Sequence, residues 1–309
     1  MNLLLMSISL VFPGRVLGEE DWFKKGLSFI ESKRYEEAIE AFNKAVGKDP
    51  SYADAYNNRG VAWYHKGDYE RAMADYDMAL SINPNYADPY NNRGVIWYHK
   101  GNYERAIADY SKALDLNPRY ADAYSNRGDA LFQKGDYKRA VSDCNKALGI
   151  DPRHDKAYNQ LAWILAVCPD ERYRDGAKAI ELAKKAVELN PDPDFYDTLA
   201  AAYAEAGRYE EATAIQEKVI NLLKKEGRTE KLAVYIERMN AYKGKKPWRS
   251  KQMVPRRTYP YTVQVSSDRK KESSDGIAMK LRNQGNPAFT APAHIAGKGV
   301  WHRVFIGFY

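Results

Sequence analysis

The sequence predicts a mainly α-helical fold: an α-solenoid of about six helix-turn-helix units, followed by a small α+β domain. Three observations predict it. First, residues 53–86 (ADAYNNRGVAWYHKGDYERAMADYDMALSINPNY) and 87–120 (ADPYNNRGVIWYHKGNYERAIADYSKALDLNPRY) agree at 25 of 34 positions. Second, the same 34-residue step carries Pro50 to Pro84, Pro118 and Pro152, Gly26 to Gly60, Gly94 and Gly128, and Ala38 to Ala72, Ala106 and Ala140. Third, the composition changes after residue 242. Residues 243–309 hold 14 of the 48 Lys and Arg but only 3 of the 41 Asp and Glu. The net charge of +7 is therefore a body of −4 joined to a tail of +11.

Composition also narrows the function. With 44% hydrophobic and 29% charged residues, the 309-residue chain reads as globular rather than disordered. No apolar run reaches the ~20 residues of a membrane-spanning helix. Two cysteines, Cys144 and Cys168, are too few for a disulfide framework or a Cys-rich zinc site. No phosphate loop, nucleophile elbow, zinc-protease motif or paired-carboxylate constellation stands out, so the reading is non-catalytic, with no cofactor. The positive charge raises nucleic-acid binding, but no RNA-binding motif lies beside it.

The elements follow in chain order. Residues 1–18 hold an apolar run, Leu3 to Phe12, then Pro13, Gly14 and Val16-Leu17-Gly18 ahead of the acidic Glu19 and Glu20. This suits a secretory signal cut after Gly18, although no Lys or Arg precedes the run; the alternative is an apolar end packed on the first helix. Residues 19–226 divide into units 19–52, 53–86, 87–120, 121–154, 155–193 and 194–226, the fifth with a five-residue insertion around Cys168–Arg172. Gly60 and its equivalents let the first helix approach the second, and Ala72 and Ala79 do the same from the other side. Tyr56, Trp63, Tyr69 and Tyr76 fill the space between. Gly67 and Gly101 sit at the turn, where positive φ is tolerated. The proline closing each unit cannot continue a helix.

An aromatic, then Leu-Gly, Tyr, Ala, aromatic, Ala and Pro at this period resembles the tetratricopeptide repeat. The resemblance implies a superhelix whose inner groove, lined by the first helix of each unit, holds a protein or peptide ligand. Asn58, Asn92 and Asn126 recur at one groove position, with Gln160 in the next unit, and Asn57, Asn91 and Asn159 stand beside them. Carboxamides donate and accept, so a row of them can read an extended backbone. The alternative is that these Asn, and Arg59, Arg93 and Arg127 next door, bond between units and hold the superhelix. For the Arg row that alternative is preferred. His65 and His99 also repeat, but with no third ligand they read as solvated or groove-edge residues, not a metal site. Cys144 falls at a core position and Cys168 in the inserted loop; their pairing stays open.

Residues 227–242 read as a capping helix with Leu232, Tyr235, Ile236 and Met239 inward. Residues 243–258 carry seven basic residues, no acid, and Pro247 and Pro255. This is a tether, either in contact with an anionic surface such as membrane headgroups or a solvated spacer.

Residues 259–309 read β-α-β-β: a strand at Tyr261–Val265, a helix at Lys271–Asn283, a strand at Ala288–Pro292, a turn at Gly297–Gly299 and a strand at Trp301–Ile306. The motifs YTVQV (261–265), LRNQG (281–285) and GKGVWHRVFIG (297–307) resemble the SPOR (sporulation-related repeat) domain of bacterial envelope proteins, a β-α-β-β-α-β fold. The match stops before that fold's second helix and fourth strand, so an incomplete ferredoxin-like unit is expected, whether truncated, completed by another chain, or degenerate. The resemblance implies binding to peptidoglycan glycan strands, favouring strands stripped of stem peptides, through the sheet face. By motif match the contacts are Gln264, Ser267, Trp301 and Arg303. A tryptophan stacks on a sugar ring, Gln and Ser bond hydroxyl and acetamido groups, and Arg meets carboxyl oxygens. Two readings of the whole follow: an exported envelope adaptor with a role in cell division or wall growth, or a cytosolic scaffold or co-chaperone with a vestigial tail.

Overall fold

The computed structural model describes residues 21–229, 232–250, 263–268, 288–295 and 299–306. The expected signal segment (1–18), the tail helix at 271–283 and the part of the tether beyond 250 lie outside the described residues. Among the described residues twelve α-helices occupy the repeat region and a thirteenth follows it. The described residues divide into two packed units, 21–130 with 149–152, and 131–148 with those from 153 onward.

The first unit contains α1 (Trp22–Glu31), α2 (Tyr35–Lys48), α3 (Ala53–His65), α4 (Tyr69–Ile82), α5 (Ala87–His99), α6 (Tyr103–Leu116) and most of α7 (Ala121–Gln133). Its pairs pack as the repeat requires. A Cβ at Gly26 would lie 2.4 Å from the Phe42 ring; at Gly60 and Gly94 it would lie 2.6 Å from the rings of Tyr76 and Tyr110. Each ring is fully buried beside Ala38, Ala72 or Ala106. The missing side chain of the first helix is thus the space that the second helix's aromatic fills.

Punctuation repeats with the core. Gly67 and Gly101 take φ of +81° and +72°. Their amides bond back to Tyr64 O and Tyr98 O at 2.9 Å, and the next amides bond to Trp63 O and Trp97 O, the pattern of a Schellman cap. Asp68 and Asn102 then cap the second helix by accepting from the Arg71 and Arg105 amides. Before each closing proline, Asp49, Asn83 and Asn117 accept from the amide two residues on, which turns the chain toward the next unit. Where the period calls for glycine in the first unit stands Lys33, with φ of +56°. A Cβ in that region costs about 1–2 kcal/mol, and glycine's entropy returns part of it. Lys33→Gly is therefore expected to stabilise the first repeat by about 0.5–1 kcal/mol, read as a higher urea midpoint; a lower midpoint contradicts this.

The second unit contains most of α8 (Tyr137–Ile150), and α9 (Asp155–Val167), α10 (Gly176–Leu189), α11 (Pro193–Glu205), α12 (Tyr209–Lys225) and α13 (Leu232–Lys243). Between α9 and α10 the insertion forms a single 3₁₀ turn, Glu171–Tyr173. Cys168 is buried just past the end of α9, where the inserted connection begins, and Cys144 is buried in α8; the two do not form a disulfide. Burial pushes the Cys168 thiol above its ordinary pKa.

Helix α13 caps the array. Tyr235, Leu232 and Met239 pack against Val219, Ile220 and Leu223 of α12. Ile236 corrects the expectation: it is 38% exposed, and fully buried Tyr242 fills the inward position farther along. A spacing of i, i+3, i+4 brought Ile236 into the stripe, but the stripe follows 235, 239 and 242 instead. The cap carries a buried polar network. Arg238 pairs with Asp197 of α11, and Gln216 of α12 donates to the other Asp197 oxygen at 2.8 Å. The Tyr235 hydroxyl donates to Asp194.

In the tail, β1 (Val263–Asp268), β2 (Ala288–Ile295) and β3 (Gly299–Ile306) form an antiparallel sheet in the order β1-β3-β2. The first of them runs Val263–Asp268, later in the chain than the expected Tyr261–Val265. Pro292 falls in β2, an edge strand, where a missing N–H is tolerated. The pairing of β1 with β3 is interrupted by a register shift between Gln264 and Ser266.

Candidate functional site

The two Asn rows of the first helices separate in the structure. Asn57 and Asn91 are buried, 4% and 5% exposed, while Asn58, Asn92 and Asn126 are half-buried. The rows are stitched across units. The Asn92 amide donates to Asn57 Oδ1 at 3.1 Å, and the Asn126 amide donates to Asn91 Oδ1 at 2.9 Å. Asn58, with no unit of this kind before it, donates to Asp54 O at 2.8 Å. Asn57 and Asn91 thus support the outer row from within rather than line an open surface. A carboxamide has two donors and two acceptor positions. The ladder takes one donor of Asn92, and Asn91 donates to its oxygen at 3.4 Å. Two of four positions remain within the amide's hydrogen-bonding capacity. Gln160 in α9 is half-buried.

The Arg row holds the array together. Arg59 grips Asp75 with two nitrogens at 2.8 and 2.6 Å and Asn43 of the preceding repeat at 2.8 Å. Arg93 grips Asp109 at 2.8 and 2.7 Å and Asp77 of the preceding repeat at 2.6 Å. Arg127 continues the pattern with Ser111 at 3.0 Å. The Asp109 and Asp75 hydrogen bonds hold the Arg93 and Arg59 guanidinium groups firmly protonated. This fork ties the first helix to the second within a unit and to the second helix of the unit before. It is the bidentate geometry that Arg alone offers.

His65 and His99 are exposed at the ends of α3 and α5. His65 stacks on Tyr35 at 4.7 Å, and the His99 ring nitrogen is 2.9 Å from the Tyr64 hydroxyl. Desolvation lowers both pKa values, so the imidazoles are neutral partners at neutral pH. Among the described residues no group of three or more His, Cys, Asp or Glu is placed to hold a metal ion, and no helix is long and apolar enough to cross a membrane.

In the tail sheet, Gln264 pairs with Phe305, Ser267 with Arg303, and Ala293 with Trp301. Positions 301, 303 and 305 fall on one side of β3 by the two-residue pleat. Positions 264 and 267 are three apart, an odd step that in a regular strand puts them on opposite sides. The irregularity between Gln264 and Ser266 resets the count, so that both positions oppose that same side of β3.

Comparison with known proteins agrees with these repeats. Tetratricopeptide repeat models match residues 23–92, 96–135, 121–154 and 194–226, and a SPOR domain model matches residues 258–309. The chain is a tetratricopeptide-repeat protein that carries a SPOR domain. Helices α9 and α10 supply the unit between 155 and 193, where the inserted turn breaks the period. Both kinds of module are non-catalytic binding modules, the repeats for protein and the SPOR domain for peptidoglycan.

No curated protein matches the chain. Among solved structures, PilW, a widely conserved type IV pilus biogenesis factor, superposes with a TM-score of 0.56 at 19% identity, over 70% of this chain and 96% of that one. Pseudomonas aeruginosa PilF gives 0.56 at 19%, over 68% and 96%. The Cut9–Hcn1 hetero-tetramer of APC/C gives 0.62 at 16%, over 71% of this chain, which spans only 42% of that one. These likenesses are of fold alone.

Proposed function

We propose that this chain is a non-catalytic adaptor of the bacterial cell envelope. The array over 19–226, closed by the cap at 227–242, holds a protein or an extended peptide. The tail over 259–309 binds peptidoglycan glycan strands through Gln264, Ser267, Trp301 and Arg303. The observation that carries the reading is the presence of both modules in one chain, a protein-binding repeat array and a SPOR domain. A wall-binding tail works only where wall is present, so the reading includes export, with 1–18 as the signal. On this reading Trp301 meets a sugar ring while Gln264, Ser267 and Arg303 bond its substituents. The irregularity in β1 supports the grouping because it lets all four positions share one side of the sheet.

In the first unit the half-buried row Asn58, Asn92 and Asn126 reads the ligand's backbone, and buried Asn57 and Asn91 hold that row in place; in the second unit half-buried Gln160 serves the same purpose. A screen of the full chain against an array of extended peptides tests this. Asn92→Ala removes a reading position and a rung of the ladder, and is expected to weaken the captured peptides about tenfold, equivalent to ~1.4 kcal/mol. Undiminished capture of the same peptides by Asn92→Ala rejects the Asn row as the reading surface.

A further inference from the structure

The basic stretch after α13 does not leave the fold at once. Lys245, with φ of +52°, reverses the chain, and the Lys245 and Lys246 amides bond back to Tyr242 O and Ala241 O at 2.9 Å. Residues 247–250 then run across the C-terminal ends of α9 and α11. The Ser250 amide donates at 3.0 Å to the carbonyl of Val167, the last residue of α9. Such carbonyls have no partner within their own helix. Arg249 Nη1 lies 2.5 Å from Glu205 Oε2, at the last residue of α11, and 3.4 Å from Ala166 O. The guanidinium therefore meets a carboxylate and the negative end of a helix together. Trp248 faces the Arg238 guanidinium at 5.5 Å, and Trp163 of α9 faces the same guanidinium at 4.7 Å.

The receiving side is made of this chain's departures from its own repeat. The inserted turn of the fifth unit delivers Arg174, whose Nη1 bonds Cys168 O at 2.9 Å and Pro169 O at 3.1 Å. Its Nε bonds the other Glu205 oxygen at 3.1 Å. Glu205 is 13% exposed and is fixed by Arg174 with its second oxygen toward Arg249. Gly176, just after the insertion, lies so close to the end of α11 that a Cβ would meet Ala206 N at 2.6 Å. The insertion, a glycine outside the 34-residue frame and the aperiodic basic stretch all meet at one place.

We propose that the ends of α9 and α11 form an intramolecular peptide site whose occupant is Trp248-Arg249-Ser250, and that this seat anchors the tether to the array. Its ligand class is an extended segment with an aromatic-arginine pair followed by a main-chain N–H. The seat shortens the tether. Val263 lies twenty positions beyond Lys243 but only thirteen beyond Ser250. At full extension these span roughly 70 and 45 Å. The seat thereby limits how far the tail sheet can travel from the array, and it occupies the ends of α9 and α11 against any other extended segment.

Limited trypsin digestion of the full chain tests this, because the enzyme cuts after Arg249 when that bond is accessible. In the unaltered chain the Arg249–Ser250 bond is expected to resist cleavage. Glu205→Gln removes the carboxylate and Trp248→Ala the aromatic; each is expected to speed cleavage at least tenfold while amide exchange in α9 to α12 stays unchanged. Trp248 lies outside the repeats, so its replacement keeps the test decisive if Glu205→Gln disturbs α11. Ready cleavage after Arg249 in the unaltered chain overturns the proposal, as does an unchanged rate in Trp248→Ala.

Discussion

Arg238→Met is expected to destabilise the sixth repeat and its cap by about 3–5 kcal/mol, the usual cost of removing one partner from a buried ion pair. Asp197 is buried, and what remains to it is a single hydrogen bond from Gln216 at 2.8 Å. Burial already pushes the Asp197 carboxyl up to about 6, with Arg238 pulling the other way. The sign follows. The native group binds its proton more tightly than the unfolded one, near 3.9. Its contribution to stability is therefore full below about pH 4 and lost as pH rises through about 6. Removing Arg238 removes the charge that opposes protonation, so the pKa rises further. The loss in Arg238→Met should be largest at pH 8 and shrink on acidification, as the carboxyl becomes neutral. Urea unfolding of both chains at pH 5 and pH 8 measures it. An equal loss at the two values contradicts an ionised, buried Asp197.

Arg93→Ala is expected to cost about 2–3 kcal/mol, less than a fully buried pair because the Arg93 side chain is 22% exposed. It leaves Asp109, only 8% exposed, without its fork and frees Asp77 of the preceding repeat. Arg93→Lys keeps the charge but cannot span both Asp109 oxygens and reach Asp77, so about half the loss is expected to remain. Partly buried pairs are screened weakly, so both losses should persist at high salt. Hydrogen exchange localises the effect to α5 and α6. An Arg93→Lys chain as stable as the original contradicts the fork geometry.

The repeat was legible because each of its key residues meets the same surroundings every 34 positions. Gly60 and Gly94 each face a buried tyrosine ring at the same distance, and such sites leave a fixed residue type in the sequence. The Arg row was legible as structural for the same reason. The Asn rows were not. Which of two adjacent carboxamides turns inward depends on about 100° of helix rotation and on how closely the next unit approaches, and both rows repeat equally well. Lys33 was hidden because it lacks the residue type that its backbone conformation favours. The seat of Trp248–Ser250 was hidden for a different reason: an aperiodic stretch with seven basic residues reads as solvated, and its contacts rest on Glu205 and on Arg174, which holds Glu205, 44 and 75 positions upstream of Arg249. In the tail, alternation marks strand-forming stretches, but the irregularity at Gln264–Ser266, on which the grouping of the sheet positions depends, breaks that alternation without a glycine to mark it.

The most direct measurement is co-sedimentation of the full chain with purified sacculi, beside the Trp301→Ala and Arg303→Ala chains. The adaptor reading expects the unaltered chain to pellet with the sacculi, and each variant to lose binding at least tenfold while its repeat array stays folded. Failure of the unaltered chain to pellet, or equal pelleting by all three, contradicts a glycan-binding sheet.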